Sequence, residues 1–197
     1  GLRIPWNVRE IGAQSVWNEE NATGKGIKVA VIDTGIVSTP PLIYALAKNS
    51  EEELNGLDDD GNGLIDDLFG YDFIADNGHI LDLASTTSHG SSCVGIIAGR
   101  TSSSGLQTAI APDSRIMLLK GGFNLRSLEY LITNGADIVS MSFMIVNRDL
   151  GQIRGLFRNA FEHLSLGGFL AGGGAGNYGP KSRRAMPLGK QIGLPKD

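Results

Sequence analysis

Hydrophobic residues in this chain fall into short unbroken runs that alternate with helical stripes. Lys28 to Asp33 (KVAVID) is apolar from Val29 to Ile32, is β-branched, and is closed by Thr34-Gly35. That pattern predicts a strand buried on both faces of a parallel sheet. Arg115 to Lys120 (RIMLLK) and Asp137 to Phe143 (DIVSMSF) read the same way, and Gly168 to Gly172 (GFLAG) is a shorter, glycine-rich version. Between them, Leu125 to Asn134 carries apolar residues at helical spacing and stops at Asn134-Gly135, a good C-terminal signal. Gln152 to Leu166 places Ile153, Leu156, Phe157, Ala160, Phe161 and Leu164 on one stripe, with Arg154, Arg158 and Glu162 off it. Alternating strand and helix predicts an α/β fold, three-layer α/β/α with a mostly parallel sheet. In such sheets ligands gather at the carboxyl ends of strands.

The first strand ends on Asp33, a carboxylate at the mouth of a buried element. Such a charge is costly unless something pairs with it. The candidate partner is His89, which opens SHGSSCVGIIAGR with Ser88 placed as an N-cap. Gly90, Gly95 and Gly99 recur in this otherwise apolar helix. Glycine weakens a helix, so their use predicts close packing. An acid at a strand end beside a histidine at a helix start is what a carboxylate-oriented imidazole base requires. A third feature is GGGAGNYGP, Gly172 to Pro180, in which Asn177 stands among glycines and can offer an amide to a bound oxygen. Gly174, Gly176 and Gly179 also match a dinucleotide fingerprint. That motif should open a helix, and the following Lys181-Ser182-Arg183-Arg184 has no apolar stripe.

Charge changes the picture locally rather than globally. The 197 residues carry a net charge of −4 and a sequence pI of about 5.4. No Lys or Arg lies between Lys48 and Arg100, yet eleven of the 21 acids do. Local acid of this kind points to a cation site or a solvated loop, and there is no basic helix face of the kind nucleic acid requires. Within the window, NGLDDDGNGLIDDLFGYDF sets Asp58, Asp60 and Asn62 at alternate positions, then Gly63, with Asp66 further on. This is the front half of an EF-hand-like loop, but its twelfth position is Phe69 and not Glu. The predicted ligands for Ca²⁺ are Asp58, Asp60, Asn62 and Asp66, with the backbone carbonyl of Leu64.

Taken together, D-T-G at Asp33, H-G-S-x-x-x-G at His89 and A-x-N-x-G through Ala175, Asn177 and Gly179, in that order, resemble the subtilisin-like serine proteases. The resemblance runs nearly end to end. It implies that Asp33 orients His89, that His89 is general base and then acid, and that Asn177 stabilises an oxyanion. It also implies that Ser140, Met141, Ser142 and Phe143 form the stretch that pairs with a polypeptide substrate. Many members carry a similar acidic insertion that binds calcium. The family's serine motif, G-T-S-x-x-x-P, is absent from these residues, so the chain reads as the N-terminal part of a longer protease. A propeptide or the rest of the domain is then an expected partner. Where the family has glycine after Phe143, this chain has Met144. That departure keeps open an inactive peptide- and calcium-binding pseudoprotease, or one half of a split enzyme.

Three further expectations complete the reading. Cys93, one helical turn after His89, is expected to be a buried packing residue, because a nucleophilic thiol needs an electropositive, accessible setting. As a single cysteine it excludes an internal disulfide. The opening GLRIPWNVRE lacks the form of a signal peptide, and an extracellular or secretory location is expected only from the family and the calcium loop.

Overall fold

The computed structural model describes residues 3–83, 88–143 and 154–174. Five strands form one sheet: β1 (Lys28–Asp33), β2 (Gly70–Asp72), β3 (Arg115–Lys120), β4 (Ile138–Met141) and β5 (Leu170–Gly173). Their order across the sheet is β2-β3-β1-β4-β5, and all four pairings are parallel. The helices are α1 (Trp6–Glu10), α2 (Ala13–Glu19), α3 (Pro40–Ile43), α4 (His89–Ala98), α5 (Leu125–Thr133) and α6 (Arg154–Leu166).

The period-two alternation of β1 divides the core into two layers. Ala30 and Ile32 face Leu119, Val139 and Met141 under Leu128 and Leu131 of α5 and Phe161 and Leu164 of α6. Val29 and Val31 face the other way, onto Ile116, Leu118, Leu42 of α3 and Val94 and Ala98 of α4. Both faces of the sheet are thus covered, which is why β1 and β3 read as continuous apolar runs. The sequence boundaries for both strands match the observed ones. The Asp137–Phe143 run is shortened to Ile138–Met141, because Ser142 and Phe143 leave the sheet. α5 starts as expected, with a capping box in which Asn124 Oδ1 accepts from Ser127 N and Ser127 Oγ accepts from Asn124 N, both at 2.9 Å.

The strand order reverses around β1, since β3 lies on one side of it and β4 on the other. The carboxyl end of β1 is therefore a topological switch point, where a crevice opens between neighbouring strand ends. Asp33 stands there. Its neighbour across the ladder is Lys120, the last residue of β3. Lys120 Nζ reaches Asp72 Oδ2 of β2 at 2.9 Å and also donates to the carbonyls of Leu81 and His79. One ammonium thus ties β2 and the segment from His79 to Leu81 to the strand end. Burial alone would raise the Asp72 carboxyl, but the backbone N–H groups of Ala75 and Ile74 and the Lys120 ammonium outweigh it and hold the group below the usual carboxylate range.

Replacing Lys120 by Met removes the ammonium and keeps the stem. We expect a loss of about 1–3 kcal/mol at pH 7 in urea unfolding. The folded-state value of Asp72 is depressed, so this stability is present above the ordinary Asp value of about 3.9 and is lost as pH falls through the lower folded value. The gap between wild type and Lys120→Met should therefore close in acid; an equal gap at pH 7 and well below pH 4 would contradict this account.

Candidate active site and acidic loop

The end of β1 and the start of α4 are fastened together by small polar groups. Ser88 Oγ caps the helix by accepting from Ser91 N at 3.1 Å, and it donates to the carbonyl of Gly35 at 3.1 Å. Ser91 Oγ accepts from Val37 N at 2.8 Å, and Thr34 Oγ1 accepts from Gly90 N at 3.1 Å. The approach is so close that a Cβ on Gly90 would lie 2.2 Å from the Gly35 carbonyl oxygen and 3.2 Å from Asp33 Oδ1. Gly35 itself sits at φ +98°, with Ile80 O 2.6 Å from where its Cβ would be. Gly95 is different: a Cβ there meets Leu42 Cδ2 at an ordinary 3.7 Å. Close packing thus explains Gly90 and not Gly95.

This fastening sets His89 against Asp33. His89 Nδ1 lies 2.8 Å from Asp33 Oδ1 and 2.9 Å from Oδ2. Both partners on that side are acceptors, so Nδ1 carries a proton, and in the neutral ring the lone pair is on Nε2. Thr34 N donates a further bond to Asp33 Oδ1 at 2.7 Å. The Asp33 side chain is 3% exposed and the His89 side chain 57%. A buried carboxylate thus holds a solvent-facing imidazole, the arrangement of an oriented base.

The His89 ring borders a groove of about 510 Å³ whose other walls include Ile74, Phe123, Ser142 and Phe143. Phe123 stacks on Phe161 with ring centroids 5.2 Å apart, so the groove wall is anchored in the core. Of the four residues predicted to meet substrate, only Ser142 and Phe143 stand at this groove. Ser140 and Met141 lie inside β4, paired on both edges with β1 and β5, and Met141 is buried in the core. Met144 and Asn177, with Ala175 and Gly179, lie outside the described residues. Cys93 is half-buried, and its Sγ is 3.9 Å from His89 Nδ1. Burial pushes the thiol up from its ordinary value, which suits a neutral thiol at this position rather than a free nucleophile.

The acidic loop closes on itself through its own side chains. Asp58 accepts from Asn62 N and Gly63 N, and Asp60 Oδ1 also accepts from Asn62 N. Asn62 turns its amide nitrogen to Asp60 and the buried Asp67, while its oxygen accepts from Leu64 N. Asp66 points Oδ1 at the N–H groups of Asn55 and Gly56, each at 2.9 Å. The acids whose oxygens converge within 4.8 Å of one another are Asp58, Asp60 and Glu52. Glu52 was not among the predicted ligands, yet it is 1% exposed. Its Oε1 accepts from Asp66 N at 3.1 Å, and its Oε2 is buried with no hydrogen-bond partner. Burial raises both Glu52 and Asp67 above the usual carboxylate range, and neighbouring acids add to it. An orphaned, deeply buried carboxylate oxygen beside two more carboxylates fits a hard cation bound through oxygen.

A family model described as the subtilase family matches residues 24–187. The chain belongs to the subtilase family. Among curated relatives, this subtilase is 28% identical over 155 residues to subtilisin-like protease 1 of Plasmodium berghei (strain Anka), covering 73% of the chain and 24% of the relative. It is 28% identical over 195 residues to the major intracellular serine protease of Bacillus subtilis (strain 168), covering 94% of the chain and 53% of the relative. A third relative is named minor extracellular protease Epr, of the same Bacillus strain, at 30% identity over 146 residues, covering 70% of the chain and 18% of the relative. The chain thus spans between about a fifth and about half of these relatives' lengths, and their names include both an intracellular and an extracellular enzyme. Among solved structures, the fold resembles the MycP3 protease from the type VII (ESX-3) secretion system, with a TM-score of 0.57 at 20% identity over 88% of this chain and 46% of that one. MycP1 from Mycobacterium smegmatis superposes with a TM-score of 0.56 at 22% identity, over 91% of this chain and 47% of that one. The α/β architecture is therefore that of subtilisin-like proteases. No helix among the described residues is long and apolar enough to cross a membrane.

The two helix glycines make opposite predictions. Gly90→Ala forces the start of α4 away from Gly35 and should cost about 1–3 kcal/mol in urea unfolding. Gly95→Ala adds an ordinary contact in a helix interior and should be neutral or stabilising by up to about 1 kcal/mol. Equal effects of the two substitutions would show that the tight approach at Gly90 is not what holds the site.

Proposed function

We propose that this chain is the part of a subtilisin-type serine endopeptidase that supplies the acid, the base and part of the substrate groove, with the serine nucleophile outside these 197 residues. The observation that carries the reading is the buried Asp33 carboxylate paired with both oxygens on His89 Nδ1 at the switch point of the sheet. With Nδ1 protonated and held, Nε2 accepts the hydroxyl proton of the serine as it attacks a peptide carbonyl, and then returns that proton to the leaving amine. Asp33 stays ionised and stabilises the imidazolium in between. Asn177 is assigned the oxyanion by its motif. Ser142 and Phe143 meet the polypeptide at the groove, and the apolar Ile74 and Phe123 walls favour apolar substrate side chains.

In the full-length protein, a fluorophosphonate probe should label one serine, and peptide hydrolysis should follow. Asp33→Asn should lower kcat by about 10⁴-fold, the size established for serine proteases of this type. An intact full-length protein that neither reacts with the probe nor cleaves casein would support the non-catalytic reading and sink this one.

The acidic loop is assigned Ca²⁺. Glu52, Asp58 and Asp60 are its convergent carboxylates, joined by Asn62, Asp66 and the Leu64 carbonyl from the sequence pattern. The ion would neutralise the loop's crowded charge and give Glu52 Oε2 the partner it lacks. Glu52→Gln should raise the melting temperature in chelator, since it removes an unsatisfied buried charge. The same substitution should abolish the further rise that Ca²⁺ gives the wild type. Thermal scans with and without Ca²⁺ decide it: a variant still stabilised by Ca²⁺ as strongly as wild type removes Glu52 from the site.

A further inference from the structure

We propose that Arg100 and Arg115 form a binding site for a phosphate dianion, carried as a free ion or as a monoester, at the end of the sheet opposite His89. Both guanidinium groups are fastened to one backbone oxygen. Arg115 Nη1 donates to the Tyr44 carbonyl at 2.8 Å, and Arg100 Nε donates to the same oxygen at 3.3 Å. Arg100 Nη2 also donates to the carbonyl of Ser114 at 3.0 Å. Two like charges are therefore held side by side around a single atom. Among the described residues, neither arginine is in an ion pair.

The placement is built by the backbone. Arg115 is the first residue of β3, Arg100 follows Gly99 at the end of α4, and Tyr44 closes α3. Arg100 N donates to the Pro41 carbonyl at 2.8 Å, Arg115 N to that of Ile27 at 2.9 Å, and Ile116 N to that of Ala45 at 2.9 Å. The three segments are thus locked to one another before any ligand arrives. β3 runs from Arg115 to Lys120, the ladder partner of Asp33. The pair therefore lies a full strand length from Asp33 and is independent of the proposed protease chemistry.

Charge selects the ligand. Guanidinium groups this close repel each other. Burial and the Arg115 charge hold the Arg100 guanidinium below its ordinary value, and Asp113 offsets them only in part. Arginine stays protonated even so, and the pair is left in need of a counter-ion. Lys28, beside Arg115 in the ladder, spends its ammonium on the Asn134 carbonyl at 2.6 Å. The bonds to carbonyls occupy only part of each guanidinium fork, and Arg115 is exposed, so N–H donors remain for a ligand from solvent. Such forks match phosphate and carboxylate oxygens. A carboxylate balances one of the two charges, whereas a phosphate balances both and brings three acceptor oxygens.

The test is calorimetric titration of the full-length protein with phenyl phosphate at about pH 7, where a monoester is mostly dianionic. One equivalent should bind. Arg115→Gln should weaken binding about tenfold or more, and Arg115→Lys, which keeps the charge but loses the fork, should weaken it less. Arg115 is exposed, so both variants should keep the wild-type circular dichroism. Lys25→Gln, which removes an exposed charge from the turn before β1, should bind as wild type does. The same titration with inorganic phosphate separates the sources: binding of the ester alone assigns the site to monoesters, and binding of the free ion alone assigns it to phosphate. Binding of neither overturns the site, as does binding indifferent to both Arg115 variants. Equal weakening by Lys25→Gln and Arg115→Gln would mean general charge attraction and also overturns it. Acetate that competes as well as phosphate overturns the choice of a dianion. Neither Arg115 variant should change peptide hydrolysis, so a protein without protease activity counts against the proposed function and leaves this site standing.

Discussion

A single buried carboxylate organises the described part of this molecule. Asp33 closes the central strand of a five-stranded sheet with its side chain 3% exposed, where an isolated charge would be costly. The structure meets that cost with donors alone: Thr34 N and His89 Nδ1. To bring the second donor there, the start of α4 must lie almost against the turn after β1. Several features of the local sequence serve that approach. Gly35 takes a positive φ, Gly90 leaves out a Cβ that would overlap a carbonyl, and Ser88 and Ser91 bond the helix start to Gly35 and Val37.

The acidic loop inverts this logic. Glu52 is as deeply buried as Asp33, but one of its oxygens finds no donor in the protein, and its neighbours are carboxylates rather than an imidazole. Burial raises Glu52 and Asp67, whereas it fails to raise Asp72, where N–H groups and Lys120 outweigh it. Asp33 and Asp72 carry their compensation within the chain; Glu52 Oε2 has none there. This contrast supports the proposed cation better than the spacing of the aspartates does, because Asp58, Asp60 and Asn62 already bond one another and nearby backbone N–H groups.

The sequence was most legible where burial leaves no alternative. β1 and β3 are covered on both faces, so their apolar runs begin and end with the strands themselves. The Asp33 and His89 pair was legible because a charge at the end of such a run demands a partner, and a capped histidine was at hand. β2 left no comparable trace: three residues, Gly-Tyr-Asp, follow the acidic loop, and their burial comes from tertiary packing. Glu52 was hidden in a Glu-Glu-Glu run with no alternation to mark the central residue as the buried one. Ser140 and Met141 read as part of the substrate stretch, but sheet pairing on both edges keeps them inside, and only the residues past the strand end reach the groove. Cys93 was expected to be buried packing, since helix spacing alone does not say how far α4 opens toward the groove.

The two charged regions are mechanically joined at Lys120. Its ammonium holds Asp72, which follows the acidic loop, and the carbonyls of His79 and Leu81. Its strand position is the ladder partner of Asp33, and the next residue, Gly121, donates its N–H to the Asp33 carbonyl at 3.0 Å. The segment past Leu81 returns to the same turn, where Ile36 N donates to Ile80 O and Asp82 N to Ile36 O. The peptide groups that follow the acidic loop are therefore the ones that wall in Gly35 and the strand end. The loop itself is held by its own side chains, so what it shares with the Asp33 turn is the segment that runs from Asp72 to Asp82.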